Sequence, residues 1–139
     1  MRDDITFSII KPDALARGDA ARILCRIAEA GFTIAALKMI HMTRAQAEGF
    51  YAVHRERPFY EGLVEFMSTG PVMVMVLRHQ DAVEKFRSLI GSTDPAKAAP
   101  GTIRAEYGTT VQSNAVHGSD SPENASKEAS YFFSAIEIF

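Results

Sequence analysis

The chain of 139 residues carries 15 lysines and arginines against 17 aspartates and glutamates, so its formal net charge is -2. Hydrophobic residues make up 47% of the sequence, which is typical of a globular protein and argues against global disorder. The small negative charge argues against an obligate nucleic-acid-binding or membrane-surface protein, because both usually carry a basic footprint. The length fits one compact domain, which we expect to span residues 1–139.

The N-terminal residues and the single cysteine favour a cytoplasmic protein. Residues 1–4 are charged and lead directly into a predicted strand, so we expect no signal peptide. The apolar runs are too short to cross a bilayer, so no membrane partner is expected. Cys25 has no second cysteine with which to form an intramolecular disulfide, which suits a reducing cytosol. Its place in an apolar helical run predicts a small core residue.

Hydrophobic periodicity divides the chain into strands and helices. Strict alternation over residues 5–9 predicts a half-buried strand, whereas the unbroken apolar run over 72–77 predicts a central strand buried on both faces. In chain order we expect a strand over 5–9, a helix from Asp19 to about Ala30, a strand over 32–42, a helix from Thr43 that fades before Pro58, a helix over 61–67, a strand over 72–77, a helix from Asp81, a long loop from 91 to about 115, a histidine segment and a helix from Ser121 to about Phe133.

This order predicts an α/β (α+β) sandwich with helices over one sheet. A ferredoxin-like split βαβ arrangement, with a four-stranded antiparallel sheet covered by helices, fits the long helical crossovers. The pattern does not fix the strand order. The loop over residues 91–115 is long for a small domain, and such loops are usually functional.

One histidine lies at the centre of residues 114–123, between small, polar and acidic neighbours. A neutral imidazole is a nucleophile near pH 7 without a separate base, because its ordinary pKa is about 6.5. Gly118 is expected to let the backbone turn sharply and a bulky substrate come close. On residue types alone, a turn with an incidental exposed histidine is the simpler interpretation of His117.

The commonest nucleotide and hydrolase motifs are absent from the sequence: there is no P-loop, dinucleotide-binding glycine motif, zinc motif or nucleophile elbow. What remains is a scattered set of groups that suit phosphate oxygens, namely Lys11, Arg87, Thr93, Arg104 and Asn114. Tyr51 and Phe59 either form a slot for a flat ring or fill the core. The sequence does not show that any of these residues meet at His117.

Several of these segments, in the same order, resemble the nucleoside diphosphate kinase family. Residues 114–121, Asn-Ala-Val-His-Gly-Ser-Asp-Ser, are similar to the family's active-site signature N-x-x-H-G-S-D. The other similar blocks are Ile10-Lys11-Pro12-Asp13, Arg57-Pro58-Phe59, Ser68-Thr69-Gly70-Pro71, Gly91-Ser92-Thr93-Asp94-Pro95 and Pro100-Gly101-Thr102-Ile103-Arg104. The resemblance runs from near residue 5 to near residue 133, and it departs at Asp94, where many members carry asparagine.

The resemblance implies ping-pong transfer of the γ-phosphoryl group from a nucleoside triphosphate, mainly ATP, to nucleoside diphosphates such as GDP, through a phosphohistidine. It implies catalytic roles for His117, Lys11, Glu128 and Tyr51, and nucleotide binding by Lys11, Phe59, Arg87, Thr93, Arg104, Val111 and Asn114. Glu128 would accept a hydrogen bond from the far imidazole nitrogen. Phe59 and Val111 would hold the base between them. The cofactor implied is Mg²⁺, which the nucleotide phosphates carry and for which we expect no direct protein ligand.

The resemblance also implies a homo-oligomer. The sequence stops at Phe139 without the C-terminal extension of many relatives, so we expect either a tetramer or the common hexamer. Two other classes of function remain as alternatives. One is a nucleotide-binding or interaction module that keeps the fold without turnover. The other is nucleic-acid binding, which the net charge makes unlikely.

Overall fold

The computed structural model describes residues 3–139, so the expectation for residues 1–4 falls partly on Met1 and Arg2, outside the described residues. The elements are β1 (Ile5–Ile10), α1 (Pro12–Ala16), α2 (Ala20–Glu29), β2 (Thr33–Ile40), α3 (Arg44–Phe50), α4 (Tyr60–Met67), β3 (Val72–Arg78), α5 (Ala82–Ile90), α6 (Ile103–Tyr107), β4 (Val116–Gly118) and α7 (Pro122–Phe132). Within residues 3–139, no helix has the length and apolar character needed to span a bilayer.

The four strands form one sheet in the order β2-β3-β1-β4, and every neighbouring pair is antiparallel. The expected antiparallel sheet covered by helices is confirmed. β1 pairs with β3 along its whole length and with β4 at its carboxyl end, where Ile9 lies opposite His117 and Ile10 opposite Val116. This pairing brings the histidine segment beside the segment that follows β1.

Strand β1 is buried at all six positions rather than at alternate ones. The expected half-buried strand is wrong because helices cover both faces of the sheet. On one face Phe7 and Ile9 pack with residues of α3, α4 and α7. On the other face the core contains Ile27 of α2 and Phe86 of α5. Two packed faces hold this strand rigidly, and burial of each large apolar side chain contributes about 1.5–3 kcal/mol.

Cys25 lies on the exposed face of α2, so the prediction that it fills the core is wrong. The buried face of this helix carries Ile23 and Ile27, which are one turn apart. A residue two positions from Ile23 is about 200° around the helix, which turns Cys25 away from the core. Its thiol donates a 3.2 Å hydrogen bond to Glu29 instead.

Candidate active site

A cavity of about 760 Å³ opens at the β1–β4 end of the sheet, where residues of α3, α4, α5, α6 and α7 converge. All ten residues that the sequence singled out line this cavity. They are Lys11, Tyr51, Phe59, Arg87, Thr93, Arg104, Val111, Asn114, His117 and Glu128. The fold therefore brings together groups that are spread over more than 100 positions of the chain.

His117 lies on strand β4 rather than on a loop, and its ring is held between aromatic side chains. Its backbone pairs with Ile9 of the buried strand β1. The imidazole packs edge to face against Phe50, with 5.5 Å between ring centroids, and lies 6.0 Å from the ring of Phe7. A rigid strand and two aromatic neighbours leave the imidazole little freedom to rotate.

Glu128 fixes the orientation of the imidazole. One of its carboxylate oxygens lies 3.0 Å from Nε2 of His117 and accepts a 2.6 Å hydrogen bond from the hydroxyl of Ser119. Ser119 is itself fully buried, and its hydroxyl accepts the Phe7 amide N–H at 3.2 Å. Because Nε2 faces the carboxylate, it carries the proton, and Nδ1 is the ring nitrogen with no hydrogen-bond partner among residues 3–139.

The N-terminal cap of helix α7 helps to place Glu128 within hydrogen-bond distance of His117. The hydroxyl of Ser121 accepts the Asn124 amide N–H at 3.1 Å, and Pro122 occupies the first helical position. These two residues are a normal N-terminal cap and fix the direction of the helix. The predicted helix start at Ser121 is therefore confirmed, and it places Glu128 over the imidazole.

Gly118 does not provide the sharp turn that the sequence suggested. It lies within β4 and is not among the glycines with positive φ. A Cβ at this position would be 2.9 Å from Cδ1 of Ile90 and 3.1 Å from Cδ2 of Phe86, closer than normal packing allows. The glycine is needed because α5 packs directly on β4, so the expectation of a sharp turn at Gly118 is wrong. Gly118 does line the cavity, and the expectation that a substrate comes close to it stays a prediction.

The turn occurs three residues earlier, at Ala115. This residue has φ +71° and is fully buried. The Val116 amide N–H donates a 2.8 Å hydrogen bond to the Asn114 carbonyl, which closes a three-residue turn around Ala115. A γ-turn with positive φ is rare and strained for a residue other than glycine, and such strain persists only where surrounding contacts enforce it.

Two cationic side chains are buried at the floor of the cavity. Lys11 is 6% exposed and Arg104 is 8% exposed, whereas Arg87 and Thr93 are exposed at the rim. The guanidinium of Arg104 donates to the Gly91 carbonyl at 3.1 Å and to the Val116 carbonyl at 2.9 Å. Its Nε is buried and has no partner among the described residues. The backbone thus positions Arg104 and leaves one donor for a ligand.

Burial lowers the pKa values of both cationic side chains. Burial and then the charge of Arg104 lower the pKa of Lys11 from 10.5 to about 8, against an opposing effect of Asp13. Burial and the charge of Arg87 lower the pKa of Arg104 to about 10. An anion bound in the cavity would favour the charged forms of both groups. The electrostatics therefore suit an anionic ligand.

Asn114 and Tyr51 each bring a buried polar atom without a partner to the cavity. Asn114 is 1% exposed and donates from Nδ2 to the Thr93 carbonyl at 3.0 Å, while its Oδ1 has no partner in the described chain. The Tyr51 hydroxyl is likewise unpaired within residues 3–139. Burial and the nearby charge of Glu128 raise the pKa of Tyr51, so it stays a neutral donor. Buried polar atoms without a protein partner usually form hydrogen bonds with a ligand or an ordered water.

Tyr51 and Phe59 do not form a shared slot, because their ring contacts are with different partners. Tyr51 is buried and packs edge to face on Phe50 at 4.9 Å. Phe59 is 50% exposed and lies 5.3 Å from the ring of His54. Val111, which is 56% exposed, also lines the mouth of the cavity. An apolar mouth and a cationic floor match a ligand with a flat end and an anionic end.

The described residues contain no cluster of three or more His, Cys, Asp or Glu side chains placed to hold a metal ion. Asp120 lines the cavity, but its carboxylate accepts a 2.5 Å hydrogen bond from Nδ2 of Asn124. The side chains present therefore fit a metal that arrives with its ligand, since Mg²⁺ is commonly held through substrate phosphates and water.

Sequence reasoning missed several residues of the site. Phe50, Leu63 and Gln112 line the cavity, and no feature of their local sequence sets them apart from core or loop residues. Asp13 was also not predicted as a site residue, although the Lys-Pro-Asp segment could have indicated it. Its carboxylate accepts the Ala115 amide N–H at 3.1 Å.

Comparison with known proteins gives a consistent result. The family model described as nucleoside diphosphate kinase matches residues 4–138. A nucleoside diphosphate kinase of Sorangium cellulosum is 56% identical over 133 residues, which are 96% of this chain and 92% of the relative. One from Nitratidesulfovibrio vulgaris is 54% identical over 133 residues and 96% of each chain.

Solved structures agree in fold over nearly the whole chain. The nucleoside diphosphate kinase of Aquifex aeolicus has a TM-score of 0.95 at 49% identity and covers 98% of this chain and 99% of its own. The Halobacterium salinarum enzyme in complex with CDP has a TM-score of 0.94 at 37% identity, with coverage of 99% and 92%. The predicted resemblance is confirmed, and the chain belongs to the nucleoside diphosphate kinase family, a family of phosphotransferases.

Proposed function

We propose that this chain transfers the γ-phosphoryl group of a nucleoside triphosphate, mainly ATP, to nucleoside diphosphates through a phosphohistidine on His117. The observation that carries the proposal is the 3.0 Å contact between Nε2 of His117 and Glu128 beside two buried cations. A histidine whose far nitrogen is held by a carboxylate presents its other nitrogen as a nucleophile. The cations provide charge neutralisation, which phosphoryl transfer needs most.

In the first half-reaction, Nδ1 of His117 attacks the γ-phosphorus in line with the bond to the bridging oxygen. A P–N bond forms, the P–O bond breaks, and the nucleoside diphosphate leaves with the bonding electron pair. The ring becomes positively charged, and Glu128 stabilises this charge through Nε2–H. In the second half-reaction, a terminal phosphate oxygen of another nucleoside diphosphate attacks the same phosphorus and releases the imidazole.

The cationic residues bind the phosphates in this proposal. Lys11 neutralises the transferred group, while Arg87, Thr93 and Arg104 hold the diphosphate part. The unpaired Nε of Arg104 supports this role because it is a buried donor without an acceptor in the described chain. Mg²⁺, carried in by the nucleotide and not by protein side chains, would supply further charge neutralisation when bound.

The nucleoside end binds at the apolar mouth. The base lies between Phe59 and Val111, and Asn114 and Lys11 bind the sugar hydroxyls. Tyr51 contacts the region of the transferred phosphate, for which its unpaired hydroxyl is available. Stacking on a ring face tolerates every base, so we expect broad nucleotide specificity. The CDP complex of the Halobacterium salinarum relative supports a nucleotide ligand.

The same family membership supports proposals about the domain, the assembly and the location of the protein. We propose that residues 1–139 act as one domain, that the protein is a cytoplasmic homo-oligomer, either tetramer or hexamer, and that its partners are nucleotides rather than nucleic acid or membrane. The exposed apolar side chains of β2, Leu37 and Met39, support subunit contacts.

A phosphorylation experiment tests the proposal. The protein is incubated with Mg²⁺ and γ-labelled ATP, and nucleotide is removed. We expect label that is lost in acid, retained in alkali, transferred to added GDP and absent from His117→Ala. Nucleotide binding without labelling would contradict the proposal and would favour a binding module that has kept the fold. Circular dichroism of His117→Ala confirms that the variant is folded.

A further inference from the structure

Asp13 joins the segment after β1 to the turn that precedes His117. Its side chain is 8% exposed, and one carboxylate oxygen accepts the Ala115 amide N–H at 3.1 Å. The Ala115 carbonyl in turn accepts the Lys11 amide N–H at 2.8 Å. Both polar groups of Ala115 are thus paired with the Lys11–Asp13 segment, one through a side chain and one through the backbone.

The residue held in this way is the strained one. Ala115 has φ +71°, and its neighbours in the turn are Asn114 and Val116. A buried alanine adopts such a conformation only when its surroundings enforce it. Because the Ala115 amide N–H is buried, it needs an acceptor, and the Asp13 carboxylate is the acceptor that the structure provides.

We propose that Asp13 is a positioning residue of the active site, whose carboxylate holds the Asn114–Val116 turn and so sets the places of Asn114 and His117 relative to Lys11. The inference rests on the proposed phosphotransfer function. Asp13 is not among the residues that line the cavity, so it touches no reacting atom. Within residues 3–139, Oδ2 of its carboxylate contacts the Ala115 amide and, at 3.9 Å, Arg17, and Oδ1 is buried without a hydrogen-bond partner. Its effect on the reaction passes through the turn.

The negative charge of Asp13 has a second, smaller effect in the same place. The charged groups that act on the Lys11 ammonium are Arg104 from α6, which lowers its pKa, and Asp13 from α1, which raises it. Loss of the carboxylate charge therefore favours the neutral amine of Lys11. The positional and the electrostatic effects can be separated by substitution.

Three variants make this separation. Asp13→Asn keeps an oxygen for the Ala115 amide but loses the charge, Asp13→Glu keeps the charge but displaces the oxygen, and Asp13→Ala loses both. We expect the single-turnover rate of His117 labelling at pH 7 to fall less than about threefold in Asp13→Asn. It should fall about tenfold to 100-fold in Asp13→Glu and Asp13→Ala, because small misplacements of reacting groups are costly.

Amide hydrogen exchange at Ala115, measured by NMR in the same samples, reports on the turn directly. We expect wild-type protection in Asp13→Asn and exchange about tenfold faster or more in the other two variants. Asp19→Ala is the matched control. Asp19 is also an acidic partner of Arg17, at 3.1 Å, but makes no contact with the turn, so labelling and Ala115 exchange should be unchanged.

A faster labelling rate in Asp13→Glu than in Asp13→Asn would overturn the proposal, because charge alone would then explain the residue. Wild-type labelling in Asp13→Ala would also overturn it. If Asp13→Ala fails to fold, the order of the other two variants still decides. If the wild-type protein takes up no label, the proposed function fails, and Ala115 exchange alone supports or overturns the role of Asp13.

Discussion

The two edges of the sheet differ in length, in burial and in what they carry. β2, at one edge, has eight residues and leaves Ile34, Leu37 and Met39 between 39% and 58% exposed. β4, at the other edge, has three residues and carries His117, the proposed nucleophile. The long edge is defined by an apolar sequence, whereas the short edge exists because β1 and α5 hold it in place.

The difference shows how strands can serve distinct purposes within one sheet. The long edge provides exposed apolar surface. Single substitutions of its exposed side chains should change the stability of the monomer little. The short edge holds its three residues in fixed places, because each of them packs against or pairs with a rigid neighbour. A single added atom there should therefore disturb both folding and activity.

Gly118→Ala should disrupt the packing of the short edge against α5. Its Cβ would lie 2.9 Å from Cδ1 of Ile90 and 3.1 Å from Cδ2 of Phe86, so these buried side chains or the strand itself must shift. We expect a loss of about 1–3 kcal/mol in the free energy of unfolding, measured with urea. The labelling rate of His117 should fall about tenfold or more, because the histidine moves with its strand.

Gly70→Ala is the control for this substitution. Gly70 precedes β3, and a Cβ there would meet nothing within 4 Å. We expect its stability to remain within about 0.5 kcal/mol of wild type and its activity to be unchanged. Equal stability and activity of Gly118→Ala and the wild type would show that β4 is not held as tightly as its packing indicates.

The activity should depend on pH through Lys11, which follows β1 and whose pKa burial lowers to about 8. As the pH rises through this value, Lys11 loses its charge, so kcat/KM for ATP should fall about tenfold per pH unit above 8. In the nucleotide complex the phosphates raise the pKa of Lys11, so the corresponding limb of kcat should lie at higher pH. Lys11→Gln should lack this limb, and its persistence in that variant would contradict the assignment.

Lys11 should also make the free energy of unfolding depend on pH, but in the opposite direction to activity. The pKa of Lys11 is lower in the folded chain than its ordinary value of 10.5, so the unfolded chain binds more protons between about pH 8 and 10.5. The contribution of Lys11 therefore becomes more favourable as the pH rises through this window, and below it the buried charge costs about 3 kcal/mol. This cost agrees with the proposed role of Lys11 in binding the phosphates.

The sequence predicted the elements that have their own periodicity. β2 and β3 contain apolar runs, and the cap at Thr43 is confirmed by its hydrogen bonds with Gln46. β4 could not be predicted, because three residues have no period and pair only after β1 is in place. Helix α6 was also missed, although the Thr102 hydroxyl caps it by accepting the Ala105 amide N–H.

The sequence predicted many residues of the candidate site, but not their pKa values or the backbone conformation that holds them. The family resemblance named ten of the residues that line the cavity, and it left out others such as Phe50, Leu63 and Gln112. They did not indicate that burial lowers the pKa of Lys11, or that the turn falls at Ala115 instead of Gly118. Both features depend on contacts between segments about 100 positions apart in the chain, and local sequence carries no record of them.

In the proposed reaction, Glu128 holds Nε2 of His117 and leaves Nδ1 to attack. The most direct test is NMR of the phosphorylated protein with ¹⁵N-labelled histidine, in which coupling to ³¹P identifies the phosphorylated nitrogen of His117. We expect phosphate on Nδ1, with a proton retained on Nε2 beside Glu128. Phosphate on Nε2, or on a residue other than His117, would contradict it.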